Sequence, residues 1–137
     1  MNLELHEPLP SLLALGEAWN LFEGRLVDTE ESLYSREEIE HCLLHDLMQL
    51  WTVTDELGPA AAAVTQFQMF GETKVCYVLL LAGRDMDSWL HHLEDIEEWA
   101  RENGAFKMKL HGRAGWERKL DTYTKSTVIF TKDLHHG

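Results

Sequence analysis

Basic residues are scarce in this chain: twelve Lys and Arg stand against twenty-four Asp and Glu, a formal charge of −12. Proteins that hold a phosphate backbone draw their affinity from neutralising phosphates with Lys and Arg, so direct nucleic-acid binding is not expected. Cysteine is scarce too. Cys42 and Cys76 form no CxxC pair and sit in apolar surroundings, which excludes a disulfide framework and reads as two reduced, packed thiols. Long hydrophobic runs are missing: the longest, VCYVLLLAG, falls far short of the roughly 20 residues of a membrane span and suits a buried strand. The opening MNLELHEPLPSLLALGEAW carries Glu4 and Glu7 and no early Lys or Arg, unlike a secretory signal. A cytosolic protein with no membrane role is therefore expected. Repeats and low-complexity linkers are also missing, so nothing divides the chain.

What is present is the composition of a packed globular protein. Its 137 residues are 45% hydrophobic, with five Trp and five Phe, which suits a single domain spanning 1–137 with one core. Ser11 reads as the N-cap of a first helix, with Leu12, Leu15, Trp19 and Phe22 at near-helical spacing and Gly24 as its stop. Ser35 followed by Glu38 is a capping-box pattern opening a second helix. From Leu47 the period changes to that of strands. LMQLWTVTDE, AAAVTQFQMF and KVCYVLLLAG, separated by the turn-rich LGP and GET, predict an antiparallel meander. The third run is apolar almost throughout, so helices are expected on both faces of the sheet. DMDSWLHHLEDIEEWARENG predicts one long helix with Asp85 or Asp87 as its cap, and AFKMKLHG a strand with Phe106, Met108 and Leu110 inward. Together these form a parallel β-α-β crossover. AGWERKLDTY then predicts a short helix and KSTVIFTKDL a closing strand.

Few residues stand out chemically. His41 and His45 are four apart on the second helix, a spacing that can hold a metal, but no third ligand is in register and no metal site is expected. Seven of the twelve basic residues fall in the last thirty-one, among them Arg113 in KLHGRAGWERKL. Gly112 and Gly115 serve the turn between strand and helix. Arg113 and Trp116 are the candidate partner-binding pair of this stretch, as an arginine and aromatic anchor of the kind that dominates interfaces.

The order of elements, an α/β mixed sheet built from a three-strand meander and a β-α-β crossover, resembles the GNAT acyltransferase fold over residues 47–134. So does the tail WARENGAFKMKLHGRAGWERKLDTYTKSTVIFTKDL. The resemblance implies a pyrophosphate loop between the last meander strand and the long helix. There the chain reads LAGRDMDSW, with Gly83 and Arg84 present and the later glycines replaced. Asp85 and Asp87 are expected to occupy the helix-start amides and repel a diphosphate. The general-acid tyrosine the family often carries is not matched, since Tyr123 falls after the short helix, and Glu56 and Glu72 lie in turns, so no catalytic residue is assigned. More narrowly, a short acidic chain with GRAGWERKL resembles small proteins encoded among the structural genes of tailed bacteriophages. That likeness implies a non-catalytic protein-binding component of a virion or its assembly and ejection, without a cofactor. Portal, core or tail proteins would be its partners, in the cytoplasm of the producing bacterium or in the particle. The alternative is an acetyl-CoA-dependent N-acyltransferase with a degenerate loop, in which Gly83 and Arg84 hold the cofactor.

Overall fold

Tight turns set the sheet. In the computed structural model, which describes residues 2–23, 34–110, 119–120, 122–124, 132 and 134, β2 (Gln49–Asp55) and β3 (Gly58–Phe70) are joined by Glu56 and Leu57 alone. The Asp55 carboxylate accepts a hydrogen bond from the Leu57 amide at 2.8 Å, a local bond that shapes the turn. A second two-residue turn, Gly71-Glu72, leads into β4 (Thr73–Gly83). The meander is thus as its sequence predicts. A strand that the sequence reading missed, β1 (Asn2–Leu5), pairs antiparallel with β2, and β5 (Lys107–Leu110) pairs parallel with β4, giving the order β1-β2-β3-β4-β5.

Both N-terminal helices begin where their caps place them. Ser11 accepts from the Ala14 amide ahead of α1 (Leu12–Phe22), and Ser35 accepts from the Glu38 amide ahead of α2 (Arg36–Leu44). Ala14, Leu15, Ala18, Trp19 and Phe22 form the buried stripe of α1, joined by Ile39 and Leu43 of α2. Together they pack on the sheet face that carries Leu50, Val64 and Leu80. The opposite face carries Trp51, Ala63 and Val78 and is covered by Leu93 and Ile96 of the crossover helix. A sheet buried on both sides is what the unbroken apolar run of β4 requires. Among the described residues no helix is long and apolar enough to cross a membrane.

Three expectations need correction or qualification. The run 85–104 is not one helix: it divides into α3 (Met86–Trp89), a 3-10 turn at Leu90–His92, and α4 (Leu93–Glu102). The cause is local, because Trp89 leaves helical geometry (φ −124, ψ −8) and its indole N–H donates back to the Arg84 carbonyl at 2.8 Å. Tucking the indole under the turn satisfies its one donor and buries the ring, at the expense of helix continuity. Phe106, expected inward, is 79% exposed, because it precedes β5 and its amide bonds to the Lys74 carbonyl before the alternation begins. The inward pattern starts at Met108. The helix expected over 114–123 and the strand over 125–134 lie mostly outside the described residues.

Candidate functional site: the C-terminal end of β4

A bulge opens the site. Val64 pairs with Leu80 and Thr65 with Val78, so Leu79 is the extra residue in β4. Leu79 and Leu80 consequently both lie on the face of α1 and α2, and the strand bends there. The described pairs between β4 and β5 stop at Val78 and Leu110, while β4 runs on beside β3 as far as Gly83. Beyond the bulge, β4 therefore has no β5 partner among the described residues. An unpaired strand edge offers main-chain donors and acceptors to an extended ligand that lies along it like an added strand.

Gly83 and Arg84, which hold a cofactor only on the acyltransferase alternative, stand at the end of β4. Gly83 pairs with Ala61, and a Cβ built on it would lie 2.6 Å from the Ala60 carbonyl oxygen and 2.7 Å from the Ala61 Cβ. Close approach to β3 is reason enough for a glycine here. The backbone of Arg84 is fixed on both sides: its amide donates to Ala60 O at 2.9 Å, and its carbonyl accepts the Trp89 indole. Its guanidinium does not reach toward α3. It pairs with Asp55 at 2.8 Å and makes a long contact to Pro59 O at 3.4 Å. The hydrogen bond from Arg84 and the one from the Leu57 amide hold the Asp55 carboxyl below the usual carboxylate range.

The expectation that Asp85 and Asp87 occupy the helix-start amides is overturned. Asp85 takes a left-handed backbone, φ 53 and ψ 69, and makes no side-chain cap bond. With φ positive, its carboxylate is not where an N-cap oxygen sits. Asp87 is ion-paired to Lys119. The acidic pair thus leaves the turn uncapped, and one of its charges is compensated by a lysine thirty-two residues on.

Candidates for proton transfer are few. Tyr123 is packed against the Trp51 cluster, and its hydroxyl donates to Glu97 at 2.8 Å. Burial, reinforced by that carboxylate, pushes the phenol pKa well up and keeps it protonated. Cys76 is fully buried, and burial raises its thiol to about 12. Both cysteines are free thiols. Glu56 and Glu72 are exposed in the two hairpin turns. His41 and His45 are exposed with ring centroids 4.2 Å apart, and among the described residues no group of three or more ligating side chains is placed to hold a metal. Arg113 and Trp116 lie outside the described residues. Sequence reasoning did not find the Arg84–Asp55 pair, the Lys119–Asp87 pair or the bulge at Leu79. Counting hairpin residues does not supply them, because the register shifts at Val53/Thr54 and Val64/Thr65.

No family model matches the chain, and no curated protein matches it. Solved structures do. An aminoglycoside acetyltransferase in complex with sisomicin, from an uncultured soil metagenomic sample, superposes with a TM-score of 0.67 at 15% identity, covering 97% of both chains. A predicted acetyltransferase with acetyl-CoA from Clostridium acetobutylicum gives 0.69 at 14% identity over 99% of each chain. Glucosamine-6-phosphate N-acetyltransferase from Arabidopsis thaliana gives 0.68 at 11% identity, covering 98% of this chain and all of its own. At such identities the likeness concerns backbone architecture, and over nearly its whole length this chain has the fold of the GNAT acetyltransferases.

Proposed function

We propose that the protein is an acyltransferase that takes its acyl group from an acyl-CoA thioester and passes it to an amine. The observation that carries this reading is the bend of β4 at the Leu79 bulge, with Gly83 and Arg84 at the strand's end. A pantetheine arm is an extended chain with two amides, which matches an open strand edge in length and in hydrogen-bonding pattern. The likeness to an acetyltransferase solved with acetyl-CoA supports the same donor. On this reading the β4 backbone aligns the arm, the bulge places the thioester beside the face of α1 and α2, and Arg84 stands at the anionic end. The neutral amine attacks the thioester carbonyl, the C–N bond forms, the C–S bond breaks, and CoA leaves as its thiolate, which takes a proton from solvent while the amine proton passes to solvent. Water takes that proton in this reading, because Tyr123 is bound to Glu97 and the turn glutamates are exposed. The protein-binding, virion-component reading draws on Arg113 and Trp116, outside the described residues, whereas acyl transfer draws on the Leu79 bulge and on Arg84.

Calorimetric titration of the full chain with acetyl-CoA tests the proposal. Stoichiometric binding with a dissociation constant in the micromolar range is expected. At a hundredfold excess over that constant, linkage adds about 2.7 kcal/mol of stability, seen as a rise in melting temperature. Absence of both heat and melting shift at millimolar acetyl-CoA refutes it.

A further inference from the structure

The guanidinium of Arg84 lies at the end of β4, yet it points back to the β2–β3 turn. We infer that Asp55 is a built-in competitor for Arg84: it holds the guanidinium in the free protein and gives it up when the anionic end of an acyl donor arrives. The inference rests on the acyl-CoA reading above and assigns a specificity role to a residue in a hairpin on the far side of β3. Arg84 is suited to such an exchange. Its backbone is pinned by Ala60 and by the Trp89 indole, so the Cα stays fixed while the side chain, partly exposed at 43%, can swing. Its hold on the turn is slight, since the Pro59 contact is long and the ion pair is partly exposed. Asp55 is suited as well. It keeps a second donor, the Leu57 amide at 2.8 Å, so loss of the guanidinium does not leave its carboxylate bare. A fixed pairing would instead give Asp55 the role of presenting Arg84 to the ligand, and the two roles predict opposite signs.

The test compares wild type, Asp55→Asn and Arg84→Ala by calorimetry, with acetyl-CoA and with S-acetylpantetheine, which has the same thioester arm and no diphosphate. Asn keeps an oxygen for the Leu57 amide, and an unchanged melting temperature confirms an intact turn. The competitor role predicts that Asp55→Asn binds acetyl-CoA about threefold tighter, the order of an exposed ion pair, with no change toward acetylpantetheine. Arg84→Ala should weaken acetyl-CoA about tenfold and make a further Asp55→Asn change silent. If wild type binds acetyl-CoA and Asp55→Asn binds it equally or more weakly, the competitor role is overturned and the acyl-CoA reading stands. If neither thioester binds wild type or Asp55→Asn, the acyl-CoA reading itself fails and takes the inference with it.

Discussion

Changing Gly83 to Ala separates a structural glycine from a ligand-binding one. The added Cβ would sit 2.6 Å from Ala60 O, 2.7 Å from the Ala61 Cβ and 2.9 Å from the Ala61 Cα, where ordinary contact begins at 3.4 Å. All three neighbours belong to β3 main chain or to a one-carbon side chain, so no rotamer change relieves the overlap. The strands must part by several tenths of an ångström at a buried register. Overpacking of this kind costs about 1–3 kcal/mol. Alanine also lowers the entropy of the unfolded chain, which returns about 0.4–1 kcal/mol. The net loss is then about 1–2 kcal/mol, or roughly 3–10 °C in melting temperature for a domain of this length. Gly16→Ala is the control: it lies within α1 with nothing inside 4 Å of its Cβ, so the same substitution should stabilise by about 1 kcal/mol. Thermal melts followed by circular dichroism decide the matter. A Gly83→Ala protein that melts with wild type would refute the steric argument.

Further outcomes follow from single contacts. Tyr123→Phe removes the hydrogen bond to Glu97 and should cost about 1–3 kcal/mol in a denaturant titration. Because the folded phenol pKa is raised from 10.0, the fold favours its neutral form; that contribution is full below pH 10 and is lost as pH climbs above it, so wild type should lose stability more steeply there than Tyr123→Phe. A chromogenic thiol reagent should titrate one equivalent in native protein, the half-buried Cys42, and two in denaturant, since the thiol of Cys76 is raised to about 12 by burial. Asp85→Gly should raise the melting temperature by relieving a left-handed residue, worth about 1 kcal/mol, and tighten acetyl-CoA by removing a carboxylate; a lowered melting temperature would show that Asp85 makes a contact the turn depends on.

Elements whose signals are local were legible. Ser11 and Ser35 cap the helices they announce, and the β2–β4 meander follows from three apolar runs and two short breaks. β1 was not legible, because the alternation of Asn-Leu-Glu-Leu lasts only four residues, and pairing with the neighbouring β2 makes them a strand. Nor was the break after Trp89. The apolar stripe through Leu90, Leu93, Ile96 and Ala100 is continuous in sequence, and a single indole donor seeking the Arg84 carbonyl outweighs it. Tertiary contacts of one side chain override a periodicity that is only an average over many.

The site shows the same division at higher resolution. Gly83 and Arg84 lie at the end of the last meander strand, where the sequence places them, but what each does depends on partners far along the chain. Gly83 answers to Ala60 and Ala61, twenty-odd residues earlier, and Arg84 to Asp55, twenty-nine earlier. Counting the hairpins alone does not yield these pairings, because irregularities at Val53/Thr54 and Val64/Thr65 shift the register on both sides of β3. Asp85 is the sharper case. Its identity suits an N-cap, and an N-cap would have blocked the turn; the sign of its φ alone sends the carboxylate elsewhere. Composition carries charge but not direction: from sequence Asp85 and Asp87 are expected to repel an anion, and the structure adds Asp55 and Glu56 of the β2–β3 hairpin to the acidic residues near the end of β4. In the structure two of them are paired, Asp55 with Arg84 and Asp87 with Lys119, and the field at the end of β4 is set by what remains and by whether Arg84 moves.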